Sequence, residues 1–347
     1  MTVSTSEKGI FKGLTAGQVC FGGFSLFCLA LILRNSEIAM EYIHRGLLLC
    51  ARTVIPSLFP FMVLSELLVM GELGKTLLSV VSRPIRKCMA LSKAGGNAVL
   101  LGMLCGFPVG ARCALLSYER GFMSKEECER TLSCCNNPSS AFFISAVGIS
   151  LWGNRSFGIV LYLTTLLTAL FTGILFARQA RKRTIEKTEI NPSPPSLQMK
   201  NAGLFTNAIR SATEGILTVC AYVVFFSALT GVLDTMLGEL HIPDALGAWI
   251  SALFEISGGM SRAAAIPNRT IAALLCAFGA GWSGLSMHCQ LLALCDKKGL
   301  RLRSYFCGKL LQSVLCTLLM AIILFFHPSL LLPLQDAPIQ PLWYLWF

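Results

Sequence analysis

The chain has 347 residues, of which 54% are hydrophobic and 14% charged, with a formal net charge of +11. A soluble domain carries about 25% charged residues, so this composition, with mean hydropathy +0.66, excludes an ordinary soluble fold and indicates an all-α polytopic membrane protein. The basic excess does not read as a nucleic-acid surface, because the positives sit in short separate loops rather than on one face.

In chain order, the stretches 15–33, 53–70, 157–177, 216–237 and 305–326 are long and apolar enough to cross a bilayer, since roughly 30 Å of hydrocarbon takes about 20 helical residues. The second carries Pro56 and Pro60. Shorter apolar pieces occupy 98–116, 141–152, 246–256, 271–282 and 285–295. Their length predicts re-entrant or broken helices, tolerated at membrane depth where protein or a water-filled cavity covers the backbone.

Lys8 and Lys12 precede the first run, and Arg34-Asn35-Ser36 follows it without a small-x-small cleavage site. Residues 1–44 are therefore expected to be a signal-anchor helix and loop. Residues 179–203 form a basic, then Pro- and Ser-rich cytoplasmic linker. It separates a first membrane repeat, 45–178, from a second, 204–327, and an aromatic tail follows at 328–347. Trp343, Tyr344, Trp346 and Phe347 in that tail suit the interface. The fifteen cysteines are scattered through apolar runs, with no zinc-type spacing and no disulfide framework.

The halves share a layout. Each has an opening helix, a Gly-broken segment (Cys105-Gly106-Phe107-Pro108-Val109-Gly110; Ile256-Ser257-Gly258-Gly259), a small polar cluster (Asn136-Asn137-Pro138-Ser139-Ser140; Gly281-Trp282-Ser283-Gly284-Leu285-Ser286) and a closing span. With the basic linker inside, 157–177 runs inward and 305–326 outward. The opening spans 53–70 and 216–237 also run oppositely, while Arg262 and Arg269 fall on the outer side or in a cavity. The expected fold is two inverted-topology repeats with Gly/Pro-broken re-entrant helices. That pattern points to a secondary transporter, because broken helices free backbone groups at mid-membrane to bind a solute.

The candidate site residues follow. Gly106, Pro108 and Gly110 supply one break, and Ser257 and Gly258 the other. Arg112 suits a carboxylate through paired hydrogen bonds, or else snorkels to the interface. Asn136, Asn137, Ser283, Ser286 and Gln290 offer donors and acceptors, the two asparagines also as N-caps of the following helix, with helix N-termini at Ser139 and Gly284 favouring an anion. Glu255 is the candidate for ion coupling, because an intramembrane carboxylate is costly. Glu66 is expected to be a structural partner of Arg52, Arg210 or Arg262. His288 reads as a structural histidine before a proton relay. No nucleophile–base pair, metal-ligand spacing or phosphate loop is present, so no enzyme activity and no cofactor are expected.

Five blocks in order carry a family resemblance: Pro56-Ser57-Leu58-Phe59-Pro60-Phe61 with Ser65, Gly106 through Arg112, Asn136-Asn137-Pro138, Glu255-Ile256-Ser257-Gly258-Gly259, and Gly284-Leu285-Ser286 with Gln290. Over about 45–326 the chain resembles the YlbJ-type sporulation integral membrane proteins of the nucleoside-recognition (Gate) domain group. Where a Ser-Gly-Pro-like run is expected after the paired asparagines, Pro138-Ser139-Ser140 stands. The resemblance implies an architecture similar to concentrative nucleoside transporters and a role in moving dipicolinic acid during endospore formation. It also implies a multi-pass location in the cell membrane, or in the mother-cell-derived forespore membrane. The expected partners are a small anionic substrate, the bilayer, a coupling cation or proton, and a second copy of the chain in a homo-oligomer. The alternatives are a nucleoside or other heteroaromatic permease and a non-transporting scaffold of a sporulation complex.

Overall fold

The computed structural model describes residues 16–183 and 201–331. Residues 1–15, most of the linker, and the tail from 332 onward with Trp343, Tyr344, Trp346 and Phe347 lie outside the described residues. The described chain is helical, with no strand. Its helices are α1 (Ala16–Arg34), α2 (Ser36–Leu49), α3 (Ile55–Met70), α4 (Glu72–Val81), α5 (Arg83–Met89), α6 (Lys93–Cys105), α7 (Val109–Glu119) and α8 (Lys125–Leu132). After them come α9 (Arg155–Arg183), α10 (Asn201–Glu239), α11 (Asp244–Phe254), α12 (Ile256–Ala264), α13 (Arg269–Trp282), α14 (Gly284–Cys295) and α15 (Arg303–Phe326). π-helical segments occupy Cys50–Val54 and Phe142–Leu151.

Among the described residues, four helical stretches are long and apolar enough to cross a membrane: Arg155–Arg178, Gly203–Glu239, Arg269–Cys295 and Arg303–Phe326. Two sharply bent helix pairs, at α1–α2 (98°) and α5–α6 (111°), raise the number to six if each counts as one span. The three runs 157–177, 216–237 and 305–326 thus lie in unbroken helices. The run 15–33 instead lies in a helix that turns at Asn35 into α2. The run 53–70 does not stand alone: α2, the π-helical turn and α3 follow one another without a gap from Ser36 to Met70. Pro60 sits inside α3 and removes one backbone donor without ending the helix. The pieces 271–282 and 285–295, read as separate short segments, together make one span broken at Ser283.

The surface is more apolar than parts of the interior. On α9, Leu163, Leu167 and Phe171 are exposed while Thr164, Thr165, Thr168 and Thr172 are buried. On α15, Leu310, Val314, Leu318 and Ile322 are exposed while Lys309, Gln312 and Ser313 are buried. In water this would expose large apolar area. In a bilayer it places leucine against lipid and keeps polar groups inside, where they bond one another.

Two runs of elements repeat one order. The first is α3, the hairpin α6–α7, a helix interrupted between α8 and Phe142–Leu151, then α9. The second is α10, the hairpin α11–α12, the interrupted α13–α14, then α15. The opening helices are antiparallel: Tyr42 meets Gly231, Gly46 meets Ser227, Cys50 reaches the Cys220 carbonyl, and Glu66 meets Ser211. The closing helices are antiparallel too: Phe176 lies by Gly308, Thr165 bonds Gln312, and Asn154 bonds Leu330.

The hairpin helices have 13, 11, 11 and 9 residues. At 1.5 Å per residue they are about 14–20 Å long, roughly half a crossing. Gly102 and Gly110 let α6 and α7 touch, their Cα atoms standing where a methyl group would go. The α6–α7 hairpin belongs to one apolar core, with Phe107, Val109, Leu132, Cys135, Ala177 and Tyr305. The α11–α12 hairpin belongs to another, with Ile256, Met260, Phe157, Leu161, Cys316 and Met320. Each hairpin therefore enters from its own end of the molecule.

Candidate functional site

Each hairpin tip seats in the broken helix that follows it. The α6–α7 tip is Gly106-Phe107-Pro108, where Gly106 has φ +81°. The Phe107 N–H donates to the Asn137 carbonyl at 2.7 Å. A Cβ at Gly106 would lie 2.7 Å from the Ser139 backbone, so only glycine permits that approach. The α11–α12 tip is Glu255. A Cβ at Gly284 would lie 3.1 Å from the Glu255 Cα and 3.0 Å from the Ile256 nitrogen. Ser283 and Gly284 both have positive φ, 74° and 83°, which breaks α13 from α14.

The second break is not where the glycines suggest. Ser257, Gly258 and Gly259 lie within α12, and the extended residue is Glu255 (φ −148°, ψ 130°). Its carboxylate accepts from the Gly258 N–H at 2.8 Å, restarting the helix one residue on. Glutamate is outside the usual N-cap set, so the sequence signal pointed past it.

Around Asn137 the first break is closed by side chains. Asn136 Nδ2 donates to the Leu132 carbonyl at 2.7 Å, and Asn137 Nδ2 to the Cys134 carbonyl at 2.9 Å. Ser139, rather than either asparagine, caps the following helix, accepting from the Phe142 N–H. Asn137 Oδ1 accepts from Gln312 Nε2 at 2.8 Å. Gln312 Nε2 also donates to the Thr165 carbonyl at 3.1 Å, and Gln312 Oε1 accepts from Lys309 Nζ at 3.2 Å. Lys309 Nζ donates in turn to Ser283 Oγ at 3.1 Å. Asn137 and Ser283, one from each break, are thus joined through two residues of α15. These groups and the buried threonines of α9 form a polar layer between the two apolar cores.

Lys309 and Gln312 were missed in the sequence. Lys309 is 0% exposed, and a lysine at the centre of a membrane helix is unfavourable by about 3 kcal/mol. The available signal was a lysine and a glutamine three residues apart, hence on one helical face, inside the apolar run 305–326.

Arg112 has a fixed partner. Its Nη2 lies 2.7 Å from Glu66 Oε1 and 2.7 Å from the Ser211 carbonyl. Ser211 Oγ donates to the same carboxylate oxygen at 2.6 Å. Glu66 is thus a structural partner, of Arg112 rather than of Arg52, Arg210 or Arg262. A second pair mirrors this one: Arg262 Nη1 lies 3.1 Å from Asp234 Oδ1, which also accepts from Ser251 Oγ at 2.7 Å. In both pairs an arginine on the second hairpin helix meets an acid on the opening helix. Each guanidinium also lies over a glycine, Gly215 or Gly247. Arg269 stacks on the Trp152 ring at 4.9 Å, so Arg262 and Arg269 both have partners.

Pro108, Arg112 and Gln290 meet at a cavity of about 10 Å³, together with Phe107, Gly215, Thr218, Val219 and Leu294. Arg112 Nε and Gln290 Oε1 are buried there without a hydrogen-bond partner among the described residues. Ligand sites run to several hundred Å³, so this cavity is too small for a ligand in this structure. Ser286 accepts from Gln290 Nε2 at 3.3 Å. His288 bonds the Tyr305 hydroxyl at 2.7 Å and packs edge-on to Trp282. Gly110 serves hairpin packing, against Gly102.

The fold and its lipid-facing helices define a multi-pass α-helical membrane protein whose broken helices meet at a buried polar layer. Over 325 residues the chain is 24% identical to the sporulation integral membrane protein YlbJ of Bacillus subtilis (strain 168), an alignment covering 84% of this chain and 79% of that protein. The chain is thus similar, over most of its length, to a protein of the YlbJ type that its five sequence blocks resemble. No family model matches the chain, and no solved structure matches it significantly.

Proposed function

We propose that this protein carries small organic anions across a membrane, with dipicolinate during endospore formation as the substrate to test first. The observation that carries the reading is the polar layer. Two hairpin tips and two broken helices converge on it from opposite ends, and the opening and closing helices of the two runs are antiparallel. On this reading the runs are inverted repeats, and rocking of one against the other exposes the layer alternately to each side. No covalent chemistry is involved. The location follows the relative's name: a membrane of the sporulating cell.

A second reading is favoured by the Glu66–Arg112 pair. Because Glu66 neutralises Arg112, the cavity at Phe107 and Gln290 also suits an uncharged heteroaromatic solute such as a nucleoside. Uptake of labelled pyridine-2,6-dicarboxylate and of labelled nucleosides into proteoliposomes, under imposed ion and proton gradients, separates the readings. Folded protein that takes up neither under any gradient would refute both readings and leave the scaffold alternative.

A further inference from the structure

The charges inside the molecule are unevenly matched. Arg112 is paired with Glu66 and Arg262 with Asp234. Lys309 is in no ion pair among the described residues, and its two acceptors, Ser283 Oγ and Gln312 Oε1, are neutral. An ammonium has three N–H donors, and two acceptors leave one over. A buried cation without a counter-charge is unfavourable, and an anion brought beside it removes the penalty.

Its surroundings are built for exchange. Ser283 is the residue at which α13 breaks from α14, held at φ +74°. Gly281, just before the break, lets α13 rest on the Ser313 and Gln312 backbone. The other acceptor, Gln312, leads to Asn137 in the opposite break. Glu255, whose backbone packs on Gly284, bonds backbone on its own hairpin and forms no ion pair with Lys309 among the described residues.

We infer that Lys309 is the anion-binding residue of the transport site, its ammonium exchanging Ser283 Oγ and Gln312 Oε1 for a substrate carboxylate when the breaks separate. This rests on the transport reading above and moves the substrate's charge from Arg112 to α15. Gln312 keeps its amide bonds to Asn137 and the Thr165 carbonyl, so the first break stays closed while the second accepts the anion. The ligand class is a small aromatic or aliphatic carboxylate, and the charge on Lys309 sets the preference over neutral isosteres.

The test uses the full-length protein in proteoliposomes, with labelled pyridine-2,6-dicarboxylate and its neutral isostere pyridine-2,6-dicarboxamide as probes. Lys309→Gln keeps a donor and removes the charge. It should lower dicarboxylate uptake roughly 10- to 100-fold, the worth of a hydrogen bond to a charged group, while diamide uptake is kept or rises. Lys309→Arg should restore part of the dicarboxylate uptake. Wild-type dicarboxylate rates in Lys309→Gln, or an equal fall for both probes, would overturn the assignment. If that variant does not fold, Lys309→Met gives the same readout: a fall in dicarboxylate uptake larger than the fall in diamide uptake supports the assignment, and an equal fall or none overturns it. A wild type that takes up neither probe refutes the transport reading itself, a result distinct from loss of preference.

Discussion

Replacing Glu66 with glutamine leaves the Arg112 guanidinium buried beside Ser211 without its counter-charge. The pair lies at 2.7 Å, with side chains 16% and 5% exposed, so solvent screens it little. With charge centres about 4 Å apart and an effective dielectric of about 20, the attraction is about 4 kcal/mol. That agrees with the ~3–5 kcal/mol lost when one partner of a buried pair is removed. Removing both partners is different: Glu66→Met with Arg112→Met replaces two desolvated charges by apolar side chains, and such replacements are neutral or stabilising in other proteins. The double variant should therefore be more stable than Glu66→Gln. Equilibrium unfolding in mixed detergent micelles, followed by helical circular dichroism, measures the difference. If the double variant is as unstable as the single one, the pair is not the coupled unit described, and Arg112 holds α7 to α10 mainly through Ser211.

Two glycines give further tests. Gly281→Ala places a methyl 2.6 Å from the Ser313 nitrogen and 2.7 Å from the Gln312 carbonyl carbon. Backbone cannot swing aside, so α13 must leave α15, at a cost of about 1–3 kcal/mol; unchanged unfolding would show that the two helices are not in that contact. Gly247→Ala places a methyl 2.6 Å from Arg262 Nη2, and the guanidinium should yield by leaving Asp234. Adding Arg262→Ala should then relieve the strain of the new methyl, whereas additive losses in a double-variant cycle would place the arginine elsewhere.

Hydropathy located the long helices, because burial of apolar surface against lipid needs only length and composition. The interruption at Gly106-Phe107-Pro108 was legible because glycine and proline mark it locally, and the one at Ser283-Gly284 because a polar cluster sits there. The bends were not. The 111° bend falls where Ala90 takes a left-handed φ of 50° and Ser92 caps α6, and an alanine gives no sequence sign of a left-handed turn; the 98° bend at Asn35 has no glycine or proline to mark it. Glu66 and Arg112 are 46 residues apart, and Arg112 meets Ser211 across 99, so one-dimensional pattern reading supplies the residues but not the pairing. Glu255 was noticed for its charge, yet its capping of Gly258 shifted the break it was thought to adjoin. Lys309 was hidden by its neighbours, since an apolar run averages away one cation that the fold then makes central.

The link from α15 back to Asn137 has a consequence for synthesis. Asn137 Oδ1 belongs to the first half of the chain, yet it takes its hydrogen bond from Gln312, a residue translated long after it. While the ribosome is still making α10 to α14, the first half is in the bilayer with that amide oxygen waiting in hydrocarbon. Assembly of the first half is therefore finished by the last long helix of the second. A nascent chain stalled before residue 312 should stay open to quality-control proteases even though every helix before α13 has already been inserted.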